Sequence, residues 1–289
     1  VCLGSFLLLF SMPSTNFIFY TLIIIFFTNT FFEFSQVFYN ARLLDFKSQM
    51  SLGKFSGIAW GTGYLGGIVC LLLVLSILIL PEQNLLGLNK ENYEHIRFCG
   101  VIVCIWYLIF SIPFLMNYDH QTVYKKKLSF YGLLKLLLKI FKEKNKFNFL
   151  IARMFYTDGL ITLFSFGGIY ASGVFNFPFY EIIYFGIALN ISAAIGSFLL
   201  GYFEDLIGIK KILTISLIGL ISLAFLILII EDKFMFWALG ISLGFFIGSI
   251  QSSSRTALIA ISNDKDLNKM FGLYAVSGKA TNFLGPMLV

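Results

Sequence analysis

Five formally charged residues stand inside long apolar runs: Glu33, Arg153, Asp158, Arg255 and Lys279. A charge at the bilayer centre costs about 2.5–3.5 kcal/mol on insertion scales. Five of them turned to lipid would together cost more than about 10 kcal/mol. They must therefore face a bundle interior or an aqueous cavity and partly neutralise one another. Such charges bind ions, protons or polar solutes. Asp158 or Glu33 could hold a proton or a cationic group, and Arg255 and Lys279 an anionic group such as a carboxylate. The competing reading is a set of ion pairs that hold the bundle together. Arg153, which can snorkel to the cytoplasmic boundary, is assigned to that role.

Spacing supports the cavity reading. Asn29, Glu33, Gln36 and Asn40 fall at i, i+4, i+7 and i+11, one stripe on one helix. Adding 215 gives Gly244, Gly248, Gln251 and Arg255, the same stripe on a later helix. Thr62–Gly67 matches Thr281–Pro286 at a shift of 219. Asp158, Thr162, Ser165 and Ser172 share one helical face. Asp158 lies about 15 Å along its helix from residue 148, and Lys279 about 14 Å from residue 270, near the midplane where transporters place substrate and coupling ions. The candidates for solute or ion binding are thus Asp158, Glu33, Arg255, Lys279, Gln36, Asn40, Gln251 and Thr162.

Other chemistries find little support. His95 and His120 fall in or next to loops, and Cys2, Cys70, Cys99 and Cys104 form no CxxC pair. No metal site, cofactor or catalytic residue is expected. A membrane-embedded enzyme acting on lipid would need a His, Asp-rich or Cys constellation; the nearest acidic pair, Glu204-Asp205, belongs to a loop pattern described below. That enzyme, and a non-transporting sensor with a transporter fold, are the alternatives.

The elements that must position these residues are membrane helices. Of 289 residues, 58% are apolar and 12% charged, against about 45–50% and about 25% in a soluble domain; mean hydropathy is +0.86. Apolar runs cover 1–10, 17–40, 56–80, 96–116, 148–174, 180–203, 212–230, 234–262 and 270–289. A span needs roughly 20 such residues. Their unbroken length predicts helices rather than the dyad alternation of a β-barrel. The chain starts at Val1 and stops at Val289, both inside apolar runs, and is expected to be truncated at both ends.

Loop charges alternate. Arg42, Lys47 and Lys54, the eight lysines from Lys125 to Lys146, Lys210 and Lys211, and Lys265 and Lys269 make fifteen basic residues on one side; Lys90, Arg97 and Lys233 make three on the other. The first set is assigned to the cytoplasm. The net charge of +6 is then topological, and no nucleic-acid partner is expected. Within 117–147, Lys135, Lys139, Lys142 and Lys146 oppose Leu133, Leu134, Leu137, Ile140 and Phe141. This reads equally as a helix on the membrane surface or as a solvated linker. Gly53, Gly57 and Gly61, and Ala193, Ser197 and Gly201, form small-residue rows that let backbones approach closely, as static packing or as a sliding interface.

The loop Gly201-x-x-x-Asp205-x-x-Gly208-x-Lys210-Lys211 resembles the major facilitator signature that helps lock one conformation at the cytoplasmic face. Leu206 and Ile209 stand where that signature carries basic residues. Tyr39-Asn40-Ala41, Gly63 to Gly67, Ala152-Arg153 through Gly159, Gly167 to Ala171, Gln251 to Arg255 and Phe271 through Pro286 resemble a single branch. This is the autophagy-related vacuolar amino-acid effluxer and its bacterial relatives, the unknown major facilitator family. The resemblance implies an all-α, polytopic fold of two pseudo-symmetric six-helix halves, seen here as about nine helical segments. Residues 1–116 would hold the end of the third helix to the sixth. Residues 117–147 would form a basic cytoplasmic linker, and 148–289 the seventh helix to the start of the eleventh. The function implied is secondary transport of a small polar solute, such as an amino acid, by alternating access with a proton as one candidate coupling ion. A monomer in the inner (plasma) membrane, in contact with lipid, is expected. Richness in Phe, Ile, Lys and Asn points to an AT-rich coding genome and a bacterial relative.

Overall fold

A computed structural model describes residues 1–46, 51–81, 86–116, 138, 140–263 and 266–289. In lipid an apolar segment must bond its own backbone, and these runs do so as helices. They are α1 (Cys2–Leu7), α2 (Ile18–Ala41), α3 (Leu52–Val74), α4 (Glu94–Met116), α5 (Lys144–Phe175), α6 (Phe179–Ile207), α7 (Ile209–Ile227), α8 (Lys233–Ile261), α9 (Leu267–Ser277) and α10 (Leu284–Leu288). Among the described residues, seven helices are long and apolar enough to cross a membrane. The chain is all-α and polytopic, in keeping with a major facilitator-like fold.

The interior spans begin and end within four residues of the apolar runs, once the π-helical segment Leu75–Ile79 that prolongs α3 is counted. Two segments differ. The run 270–289 is no single helix: α9 ends at Ser277, residues 278–283 form turns, and α10 starts at Leu284. Gly278, Asn282, Gly285 and Pro286 favour such an interruption. Lys279 therefore sits in a turn, not mid-helix. In the 117–147 stretch, Lys135 and Lys139, with Leu133, Leu134 and Leu137, lie outside the described residues. Residues 140–142 are helical, and the chain breaks at Glu143 before α5. Ile140 packs with Leu43, Leu258 and Phe271 in a buried cluster, while Phe141 is exposed. The apolar side of this stretch is thus partly used against protein.

The chain divides into two compact units, one of Val1–Gln36 and Gly67–Ser129, the other of Val37–Gly66 and Phe130–Val289. In the first, α1 lies against α4: a Cβ on Gly100 would stand 2.4 Å from the Ser5 carbonyl oxygen. Arg97 Nη1 donates to the Leu9 carbonyl at 3.2 Å, and the Tyr107 hydroxyl to Ser35 Oγ at 3.0 Å.

In the second unit α6 and α8 meet backbone to backbone. A Cβ on Gly248 would come within 1.9 Å of the Ala193 oxygen, and one on Gly244 within 2.6 Å of the Leu189 oxygen. Small residues at a spacing of four thus line the contact, which removes side-chain volume between the axes. One end of this unit is filled by Phe175, Phe177, Phe185 and Phe236 with the adjoining Trp237. The other end is closed by Leu258, Met270, Phe271 and Tyr274.

Candidate functional site

The site grows from the second half of α8. Serines at 252, 253 and 254 are fully buried, and Arg255 is 3% exposed. A buried guanidinium needs its donors satisfied. Arg255 Nε donates to Ser56 Oγ at 2.7 Å, Nη2 to the Ser56 carbonyl oxygen at 2.7 Å, and Nη1 to Asn40 Oδ1 at 3.1 Å. Ser56 Oγ in turn donates to the Ser252 carbonyl at 2.7 Å. The Trp60 ring lies 5.6 Å from the guanidinium carbon, within cation–π range. These hydrogen-bond acceptors are all neutral. One cation thus ties the ends of α2 and α3 to α8. Asn40 and Arg255 hold the same place in the two copies of the stripe, 215 residues apart.

Beside it stands the loop pattern. Asp205 Oδ1 accepts from the Gly53 backbone N–H at 3.1 Å, and Oδ2 from that of Lys54 at 2.8 Å. Both amides belong to the first turn of α3, whose donors lack helical partners and whose dipole favours an anion. The two small-residue rows face each other here. A Cβ on Gly57 would lie 2.3 Å from the Ser197 oxygen, and one on Gly201 2.8 Å from the Gly57 Cα. Gly208, at φ +96°, makes the abrupt junction of α6 and α7 that a residue with a Cβ would strain. Lys210 and Lys211 are exposed on the first turn of α7.

A second polar network surrounds Ser254. Its Oγ pairs with the Tyr156 hydroxyl and, at 2.9 Å, with that of Tyr274. Arg153 Nε donates to the Tyr274 carbonyl at 3.0 Å, and its guanidinium carbon lies 3.3 Å from the Tyr274 ring centroid. Arg153 therefore braces α5 against α9. Gln251 Oε1 accepts from the Tyr64 hydroxyl. Asp158 Oδ1 accepts from the Gly285 backbone N–H at 3.3 Å, while Thr162 donates to the Asp158 carbonyl at 2.9 Å. Asp158 and Thr162 thus face the start of α10, and both are half-buried. Lys279 is exposed in the preceding turn. Glu33 and Gln36, both half-buried, belong to the first unit.

The structure brings Arg255 to Asn40, and Asp158 to Thr162 and the α10 terminus. It adds Ser56, Trp60, Tyr64, Tyr156, Ser254 and Tyr274, which carry no charge and so escape a search for buried charges. Tyr64, Tyr156, Ser254 and Tyr274 all fall in stretches that carry the family resemblance. Glu204, 2% exposed, accepts from Thr256 Oγ1.

The family model described as "Vacuole effluxer Atg22 like" matches residues 2–289. Among curated relatives, the chain is 25% identical over 278 residues to "Uncharacterized MFS-type transporter YxiO" of Bacillus subtilis, covering 93% of the chain and 64% of that protein. It is 23% identical over 225 residues to an uncharacterized protein of Aquifex aeolicus, covering 78% of the chain and 52% of that protein. It is 23% identical over 286 residues to "Autophagy-related protein 22" of Yarrowia lipolytica, covering 85% of the chain and 46% of that protein. The chain thus spans between about half and two thirds of the length of these relatives.

Proposed function

The chain belongs to the family of Atg22-like vacuole effluxers, and from that membership we propose that it serves in a secondary transporter that moves a small polar solute across the membrane by alternating access. Residues 1–116 and 148–289 are the two moving halves, and 117–147 is the cytoplasmic connection. The observation that carries the reading is the contact of α3 with α6 and α8. Its faces are smoothed by glycine, and polar bonds at Asp205 and Arg255 cross it. A large interdigitated apolar core resists separation, whereas a smooth face crossed by a few polar bonds can have two arrangements of similar energy. The loop charges assign this end to the cytoplasm, so the contact is a cytoplasmic gate in its closed arrangement.

Arg255 has its donors taken up in the gate and acts there. Asp158, with Thr162 beside it and the start of α10 opposite, is the binding candidate for a cationic group; an amino acid carries such a group. Interrupted helices supply backbone groups to solutes at mid-membrane in other transporters. The description of the matching family as vacuole effluxers supports the movement of a solute. An uptake and counterflow panel of amino acids, sugars and organic ions with the complete protein in proteoliposomes tests the reading, and movement of at least one solute is expected. Asp158→Asn should abolish that movement with the melting temperature retained. A panel with no moving solute would overturn the transporter, and full activity in Asp158→Asn would remove Asp158 from the site.

A further inference from the structure

We infer that Glu204 is a proton-binding site built into the contact of α3, α6 and α8, occupied when the contact is closed and emptied when it opens. The inference rests on the alternating-access reading and adds to it a titrating residue distinct from Asp158 and Glu33.

Glu204 is 2% exposed. Its Oε1 accepts from Thr256 Oγ1. Its Oε2 is buried, and the Ser253 hydroxyl on α8 stands beside it, the two atoms making no well-aligned hydrogen bond. A carboxylate this deeply buried is costly when ionised, because its oxygens have lost their water and face only neutral hydroxyls. A proton on Oε2 removes the charge and supplies an O–H for which a neighbouring hydroxyl oxygen is an acceptor.

Among the described residues no salt bridge neutralises Glu204, and Arg255 acts on it only at longer range. Asp205, the next residue on α6, is itself anionic and is committed to the Gly53 and Lys54 amides. On α8, the Arg255 donors go to Ser56 and Asn40. From α3, Glu204 meets the first turn at Gly53, where a Cβ would stand 2.9 Å from the Glu204 Cβ. The Lys54 ammonium lies 6.0 Å from the Tyr202 ring centroid. Opening the contact would lift α3 off Glu204 and admit water. The proton on Oε2 would then pass to that water on the cytoplasmic side, leaving a hydrated carboxylate. Closing again requires a proton to return. Each cycle of the gate therefore binds and releases one proton at Glu204 Oε2.

The test uses the complete protein in lipid nanodiscs. Hydrogen–deuterium exchange of the α3 first turn is followed as pH is varied, each rate divided by the intrinsic chemical rate. Protection should rise as pH falls, by up to about tenfold per pH unit across the titration, the limit for one linked proton. Glu204→Gln, which mimics the protonated form, should be protected at every pH tested. An infrared band of a protonated carboxyl should be present in the parent and absent in Glu204→Gln. Should Glu204→Gln fail to fold, Thr256→Val serves: the ionised form loses a donor, so the midpoint moves to higher pH. A flat protection profile in the parent, or an unchanged pH response in either variant, overturns the proton site. Solute movement is read in neither measurement. A flat profile in a protein that still transports removes this site alone and leaves the transport reading in place.

Discussion

Arg255 is a buried cation held by neutral acceptors from two other helices. Its worth lies in the fork: Nε and Nη2 grip Ser56 together, while Nη1 reaches Asn40. Lysine carries the charge without the fork. Arg255→Lys should lose at least one bond to a charged donor, at about 1.5–3 kcal/mol for each. Asn40→Ala should cost a similar amount, and the two changes together should cost less than their sum because they share one bond. Denaturant unfolding in detergent of the two variants and their combination measures this. Asp205 acts through a different term, an anion at the start of α3. Asp205→Asn removes the charge and keeps the shape, so a loss of about 0.3–1 kcal/mol is expected. It should appear as faster hydrogen exchange at Gly53 and Lys54 and be weakened by salt. The charge of Arg255 was legible in the chain, since a charge in an apolar run must find partners, and Asp205 was legible as part of the Gly201–Lys211 loop pattern. Ser56 and Trp60 were not, because a serine or tryptophan in such a run is unremarkable until a donor arrives beside it.

At the scale of elements, small-residue rows decide which helices touch. The Gly53-Gly57-Gly61 row and the Ala193-Ser197-Gly201 row were each visible, and the structure lays one upon the other along most of their length. Spacing alone shows that a backbone can approach something; only the fold shows what approaches. The α6–α8 contact leaves equally little room, so Gly248→Ala should be the harsher change, with a Cβ 1.9 Å from the Ala193 oxygen. Overpacking of this kind costs typically about 1–3 kcal/mol, and a lowered melting temperature and yield are expected. Gly66→Ala is the control: nothing lies within 4 Å of its Cβ. A helical glycine replaced by alanine there should gain about 0.4–1 kcal/mol. Parallel thermal melts of the two variants, with Gly248→Ala no worse than Gly66→Ala, would show that the close approach carries no energy.

Across the whole molecule, the proposed orientation rests on the charge alternation of the loops. Cysteines placed singly at Lys211 and at Asp232, in a background with the native cysteines replaced, should label from opposite faces of sealed vesicles. Lys211→Cys should react only with reagent admitted to the cytoplasmic face, and Asp232→Cys only with reagent on the other. Labelling of both from one side would show that α7 does not cross the membrane, and an exchange of the two sides would reverse its topology and with it the place of the gate.

The run lengths, the loop charges and the buried charges together specified a polytopic helical protein and most of its span boundaries. Each of these is a property of one segment against one solvent, and a bilayer reads it segment by segment. The use of Ile140 against protein and the neutral partners of Arg255 are of another kind. They depend on which residues more than a hundred positions apart share a few ångströms, as Arg255 and Ser56 do. Hydrophobicity is non-directional and leaves such pairings open. They are settled by close packing and by hydrogen-bond geometry, which exist only once the helices have met.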